Sequence, residues 1–228
     1  MLEEPRTLCR RTIGRLNPND ILTQPQLKQA LEAPSVDPAL SVLCKTLYIA
    51  AGRRGELLGY SRERTERTSM GRDGRVHTTV YEAFDWPGVK AEQFRWDVED
   101  GGELWMEIRG WPVEKKVQVT FRTISERMTH PFIPTIQEYV LEDPEPKKPL
   151  FRQRCISDWQ LLMRQQLPAF WFHYFRSARW TNCMRRNEAG ERMSAEEVSR
   201  LFDVDIKTIM HYWKALDTDV RKALPRSA

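Results

Sequence analysis

Val36, Leu40, Leu43, Cys44, Leu47 and Ala51 recur at three- and four-residue intervals, the spacing of one helix face. Asp37 is a good N-cap, and Pro38 at the first helical position loses no hydrogen bond. The pattern predicts a helix over 37–51, ended by Gly52. A shorter helix is predicted over 24–33, with Thr23 as its cap and Pro34 as its stop. Residues 1–20 read as an irregular basic arm closing on the turn cluster Asn17-Pro-Asn-Asp20. Residues 53–75 hold seven arginines, four acids and four glycines without apolar periodicity, and read as a long, mobile charged loop. Two uses are open for it: a nucleic-acid-contacting loop, or a solvated connection.

The period then changes to two. Val76/Thr78/Val80, Phe94/Trp96/Val98, Leu104/Met106/Ile108 and Val117/Val119/Phe121 each alternate with polar neighbours, as half-buried strands do. Turn signals at Asp100-Gly-Gly102 and 110–114 predict an antiparallel meander of about four strands, covered by the 37–51 helix. Prolines at 144, 146 and 149 within a polar run make 141–150 an extended linker and domain boundary. Beyond it, Ser157 with Gln160 forms a capping-box pattern, and Pro168 divides two helices, 157–166 and 168–185. The second is ringed by aromatics in its first turns. Three roles are open for them: a domain core, a homodimer contact through Phe170, Trp171 and Phe175, or base stacking.

The most informative segment is 194–216. Ser194 with Glu197 is a capping box, and Val198, Leu201 and Phe202 form an apolar stripe. Asp203-Val-Asp205 is a three-residue break. Asp205 caps a second helix running to about Ala215, with Ile206, Ile209, Trp213 and Leu216 facing inward. Two short helices joined by so tight a turn make a helix-turn-helix.

These residues resemble the helix-turn-helix DNA-binding superfamily. Ser199 stands where the two helices pass closely, Val204 is the apolar residue of the turn, and Thr208-Ile209 followed by Trp213 is similar to a recognition-helix run. The tail Tyr212-Trp-Lys-Ala-Leu216 resembles the first module of MerR-type regulators. Asp203 replaces the usual turn glycine, and Asp tolerates the left-handed region. Asp203 and Asp205 also bring two carboxylates to a surface that would meet phosphate. On this resemblance Lys207, Thr208, Met210, His211 and Lys214 face DNA, with Lys207 and Thr208 nearest the base edges. Lys214, Arg221, Lys222 and Arg226 suit phosphates, as do Arg185, Arg186 and Arg192 just upstream.

Charge supports the same end of the chain. Of the 36 Lys/Arg and 32 Asp/Glu, residues 147–228 hold 16 and 9, which leaves +7 there and −3 on 1–146. No apolar run reaches membrane-spanning length and no secretory signal is evident, so no membrane partner and a cytoplasmic location are expected. Cys9, Cys44, Cys155 and Cys183 are scattered, which favours free thiols. A zinc set of Cys155, His173, Cys183 and His211 matches no metal-ligand spacing, so no metal is expected. Nucleophile, phosphate-loop and metalloprotease signatures are absent, so no catalysis and no cofactor are expected.

The expectation is therefore an α+β protein. It has a helix and antiparallel-sheet domain over 1–140, a proline-rich linker over 141–150, and an independently folding all-helical domain with a helix-turn-helix over 151–228. The expected function is sequence-specific DNA binding as a dimer, in transcription regulation or in replication and maintenance of a mobile element. The alternative is a non-catalytic assembly protein whose C-terminal helices bind a partner protein.

Overall fold

A computed structural model describes residues 20–71, 73–81, 83–97, 102–109, 121–185 and 192–223. In chain order the helices are α1 (Gln24–Leu31), α2 (Pro38–Ala50), α3 (Arg54–Leu58), α4 (Ile133–Leu141), α5 (Ile156–Gln166), α6 (Phe172–Met184), α7 (Ala195–Leu201) and α8 (Ile206–Ala223). The strands are β1 (Tyr60–Arg62), β2 (Thr65–Met70), β3 (Val76–Tyr81), β4 (Phe84–Trp86), β5 (Phe94–Asp97), β6 (Glu103–Arg109) and β7 (Phe121–Arg127), all in antiparallel pairings. The class is α+β, as the change of period along the chain implies.

The chain forms two compact units, divided differently from the expected boundary. One comprises residues 1–51 and 157–228, the other 52–156. The helix expected to cover the meander, α2, instead packs on α6 within the first unit. Asp37 Oδ1 accepts from the Leu40 N–H, so the predicted cap forms. Every residue from Leu40 to Ala50 is buried, which corrects the one-faced reading of this helix. The polar residues inside it are satisfied locally. Thr46 donates to the Val42 carbonyl at 2.8 Å, and Lys45 reaches Glu32 at 2.9 Å. The helix ends with Ala51 in the left-handed region at φ 43°, one residue before the glycine expected there.

Polar contacts join the early part of this unit to its late helices. The Arg176 guanidinium donates to the Ala51 carbonyl, and the Asp37 N–H to Gln166 Oε1. The Leu22 N–H donates to Tyr174 Oη, and Asn182 Nδ2 to Tyr48 Oη. Burial pushes the Tyr174 phenol up to about 12. α6 begins at Phe172 rather than 168, because Pro168 sits in the turn between α5 and α6. α5 begins one residue before Ser157, which places that residue in the first turn instead of at the cap.

In the second unit, β5, β6 and β7 form the meander, and Phe94, Leu104, Met106 and Ile124 point to its buried face. Of the expected strand at 117–121, Phe121 opens β7, while Val117 and Val119 lie outside the described residues. β3 does not join this sheet. It pairs with β2 in a separate two-stranded ribbon, and β1 pairs with β4. The expected mobile loop over 53–75 is thus largely ordered as α3, β1 and β2. β2 escaped the periodicity because both faces of the ribbon are wet: Met70, Val76 and Val80 are exposed on one, Thr65, Ser69 and His77 on the other. Gly59 and Gly88 let two backbones meet. A Cβ on Gly88 (φ +108°) would fall 2.6 Å from the Leu57 carbonyl oxygen, and one on Gly59 (φ +93°) 2.8 Å from that of Pro87.

The expected linker 141–150 belongs to this second unit. The Leu150 N–H donates to the Val89 carbonyl and the Glu92 N–H to that of Pro146, while Lys90 and Pro149 form a β-bridge. Arg152 grips Asp143 through both guanidinium nitrogens, at 2.7 and 3.0 Å, which holds the Asp143 carboxyl below its ordinary range. The prolines rigidify a docked segment rather than release a flexible one.

Candidate nucleic-acid interface

The 194–216 segment folds as two helices around a tight turn. The Glu197 N–H donates to Ser194 Oγ at 3.2 Å and the Ser194 N–H to Glu197 Oε2 at 2.6 Å, so the capping box closes. Those bonds hold the Glu197 carboxyl below its ordinary range. Val198 and Phe202 are buried as expected, while Leu201 is half-buried. Asp203 takes the left-handed conformation at φ 47°, the role usually given to glycine. Ser199 spans the turn. Its hydroxyl donates to the Val204 carbonyl at 2.6 Å, and its carbonyl accepts from the Val204 N–H at 3.0 Å. The Lys207 N–H donates to Asp205 Oδ1 at 2.8 Å, so Asp205 caps α8. That N–H is therefore already used by a carboxylate and is not offered to a phosphate.

The inward face of α8 differs from the expectation. Ile209 and Tyr212 are buried, Trp213 and Leu216 are half-buried, and Ile206 is exposed. Tyr212 decides this face. Its hydroxyl lies 3.0 Å from Ser177 Oγ and its ring meets Trp180 edge-on, which ties α8 to α6. α8 also runs to Ala223, beyond the expected end near Ala215, because no proline or glycine interrupts it.

The site residues separate into groups. Lys207 and Thr208 are exposed in the first turn of α8, whereas Met210 and His211 are half-buried, the His211 ring against Tyr212. Lys214, Arg221 and Lys222 lie on α8; Lys207, Lys214 and Arg221 recur at seven-residue spacing and share one stripe of it. Arg192 is not held outward toward a phosphate, because its guanidinium stacks 4.1 Å above the Trp213 ring. Arg185 is a correction of the same kind. It is partly buried, donates to Asn182 Oδ1 and the Ile21 carbonyl, and has its pKa lowered by desolvation. Arg186 and Arg226 lie outside the described residues.

The three aromatics expected at a dimer contact also divide. Phe175 is fully buried within the chain, and Phe170 packs on both Tyr174 and Phe175. Trp171 remains 44% exposed. Sequence reasoning missed Ile206 as a surface residue of the candidate interface. The available signal was Tyr212, whose selection for burial rotates the helix and brings Ile206 out. Among the described residues, no three His, Cys, Asp or Glu side chains converge as a metal site would, and no helix is long and apolar enough to cross a membrane. No protein-family model and no curated protein matches the chain, so its likeness to the helix-turn-helix superfamily rests on the residues above.

Proposed function

We propose that this protein binds duplex DNA sequence-specifically through α7 and α8, as a cytoplasmic regulator of transcription or a replication and maintenance factor of a mobile element. The observation that carries the reading is the turn. Asp203 supplies the left-handed residue, Ser199 staples the break, and the first turn of α8 leaves Lys207 and Thr208 exposed. A helix presented this way enters a major groove with its N-terminal residues toward base edges. Ile206 adds an apolar surface suited to a thymine methyl. Lys214, Arg221 and Lys222 extend the basic stretch along α8 toward phosphates. The reading assigns no catalytic step and no cofactor.

Lys207→Ala is expected to weaken binding by about 1–3 kcal/mol if Lys207 reads a base. If it meets phosphate instead, all sequences should weaken alike and the salt slope should become about one unit shallower. Asp203→Asn keeps a residue that tolerates the left-handed region and removes a negative charge, so binding should tighten. Fluorescence anisotropy against a selected duplex and a scrambled one measures both. If neither variant changes affinity while the fold is intact, α8 does not face DNA.

One recognition helix spans few base pairs, so a dimer on two half-sites belongs to the proposal. Trp171 is its exposed aromatic anchor. Sedimentation of the free and DNA-bound protein should show a dimer that Trp171→Ala weakens, and a monomer in both states removes this part. The alternative, an assembly protein, is favoured by Asp203 and Asp205, whose exposed carboxylates beside exposed Ile206 suit a basic protein partner.

A further inference from the structure

The solvent face of the β5–β6–β7 sheet carries a tryptophan. Along β6 the side chains alternate, so Leu104 and Met106 enter the core while Trp105 stands on the opposite face, 40% exposed. Arg95 on β5 is its direct cross-strand neighbour, and Ser125 on β7 is the neighbour on the other side. Gln93, Arg95, Trp105 and Thr123 line a depression of about 400 Å³. That volume falls in the range of small-ligand pockets. Among the described residues, Arg95 has no ion-pair or hydrogen-bond partner.

The acids on this face are not evenly spread. Asp97 and Glu103 pair in register with Arg127, on the side of Trp105 away from Gln93 and Thr123. On the near side β6 continues to Glu107, whose backbone pairs with Thr123. The depression thus joins a flat indole, an available guanidinium and the Thr123 side chain, while Gln93 already accepts from the Lys90 N–H at 2.8 Å. An indole offers its face to any base, and a guanidinium beside it suits a phosphate oxygen. In a duplex the base faces are already stacked, so this arrangement needs an unpaired base.

We propose that this depression binds a nucleotide of single-stranded nucleic acid, its base stacked on Trp105 and its phosphate held by Arg95. The site lies wholly within the 52–156 unit and does not depend on the helix-turn-helix reading. The test uses the full chain with labelled twelve-residue thymidine and adenosine DNA strands, and with a duplex of the same length. Trp105→Ala should weaken single-strand binding roughly 5- to 100-fold, the loss of one stacked base, and Trp105→Phe should restore most of it. Arg95→Gln should weaken it and make the salt slope about 0.7 units shallower. Neither variant should change duplex affinity, which Lys207→Ala addresses separately, so failure of one site leaves the other legible. Single-strand affinity unchanged in both Trp105→Ala and Arg95→Gln, with unaltered melting, overturns the proposal. So does loss, in Trp105→Ala, of binding to an oligosaccharide rather than to the strands, because Trp105 would then be a sugar platform.

Discussion

A fragment comprising residues 150–228 should melt without cooperativity. Its own sequence looks self-sufficient, with aromatic clusters and two capping boxes, yet much of its apolar surface is completed by α2. Leu40, Leu43, Leu47 and Tyr48 are fully buried in the intact chain, where α2 packs on α6. Removing α1 and α2 also strips Tyr174, Arg176 and Asn182 of their partners at Leu22, Ala51 and Tyr48. Whole-protein stabilities are about 5–15 kcal/mol, and single large core truncations already cost about 2–5 kcal/mol. Loss of two helices exceeds that margin. Circular dichroism during heating measures this: residual helix with a broad, featureless transition is expected. A sharp two-state melt of 150–228 would mean that the late helices hold together without α2.

Phe202→Ala should be the most damaging point substitution in the 194–216 segment. Phe202 closes α7, is almost completely buried, and lies under the Arg179 guanidinium, 5.7 Å from the ring centre. Truncating a buried phenylalanine costs about 3–5 kcal/mol, part from lost transfer energy and part from the cavity left behind. The cavity would open directly before Asp203, the left-handed residue that redirects the chain, so α7 and α8 should lose their fixed angle. Thermal denaturation should show a large drop in midpoint, and duplex binding should fall with it. Ile206→Ala is the control, because Ile206 is at the surface and such changes usually stay within about 0.5 kcal/mol. Equal melting of the two variants would show that Phe202 is not seated as described.

What the sequence reveals depends on whether a residue's partner is near in the chain. The Asp37 and Ser194 caps could be read because donor and acceptor are three residues apart. The inward residues of β5 and β6 could be read because a half-buried strand alternates. β2 could not, because its ribbon is wet on both sides and Thr65, Glu66, Thr68 and Ser69 show no contrast to follow. The burial of α2 on every side was equally hidden. Its Ser41, Lys45 and Thr46 look like a solvent face, and partners such as Glu32 for Lys45 and the Val42 carbonyl for Thr46 make the burial tolerable. In the candidate interface, the turn and Lys207 were legible, whereas the inward turn of Arg185 depends on Ile21, 164 residues away. The proline-rich 141–150 segment misled for the same reason, since its anchors at Val89 and Lys90 are distant in sequence.

The split of the helical unit between residues 1–51 and 157–228 has a consequence during synthesis. A ribosome releases α2 about 120 residues before α6 begins to exist. At elongation rates of about 5–20 residues per second, that apolar helix waits roughly 6–24 seconds in an incomplete chain. Over this interval Leu40, Leu43 and Leu47 are available to any other hydrophobic surface, including another nascent copy. Closing contacts across so long a separation is also intrinsically slow. Yield in the cell should therefore respond to translation speed and to chaperone supply more strongly than the stability of the finished protein suggests.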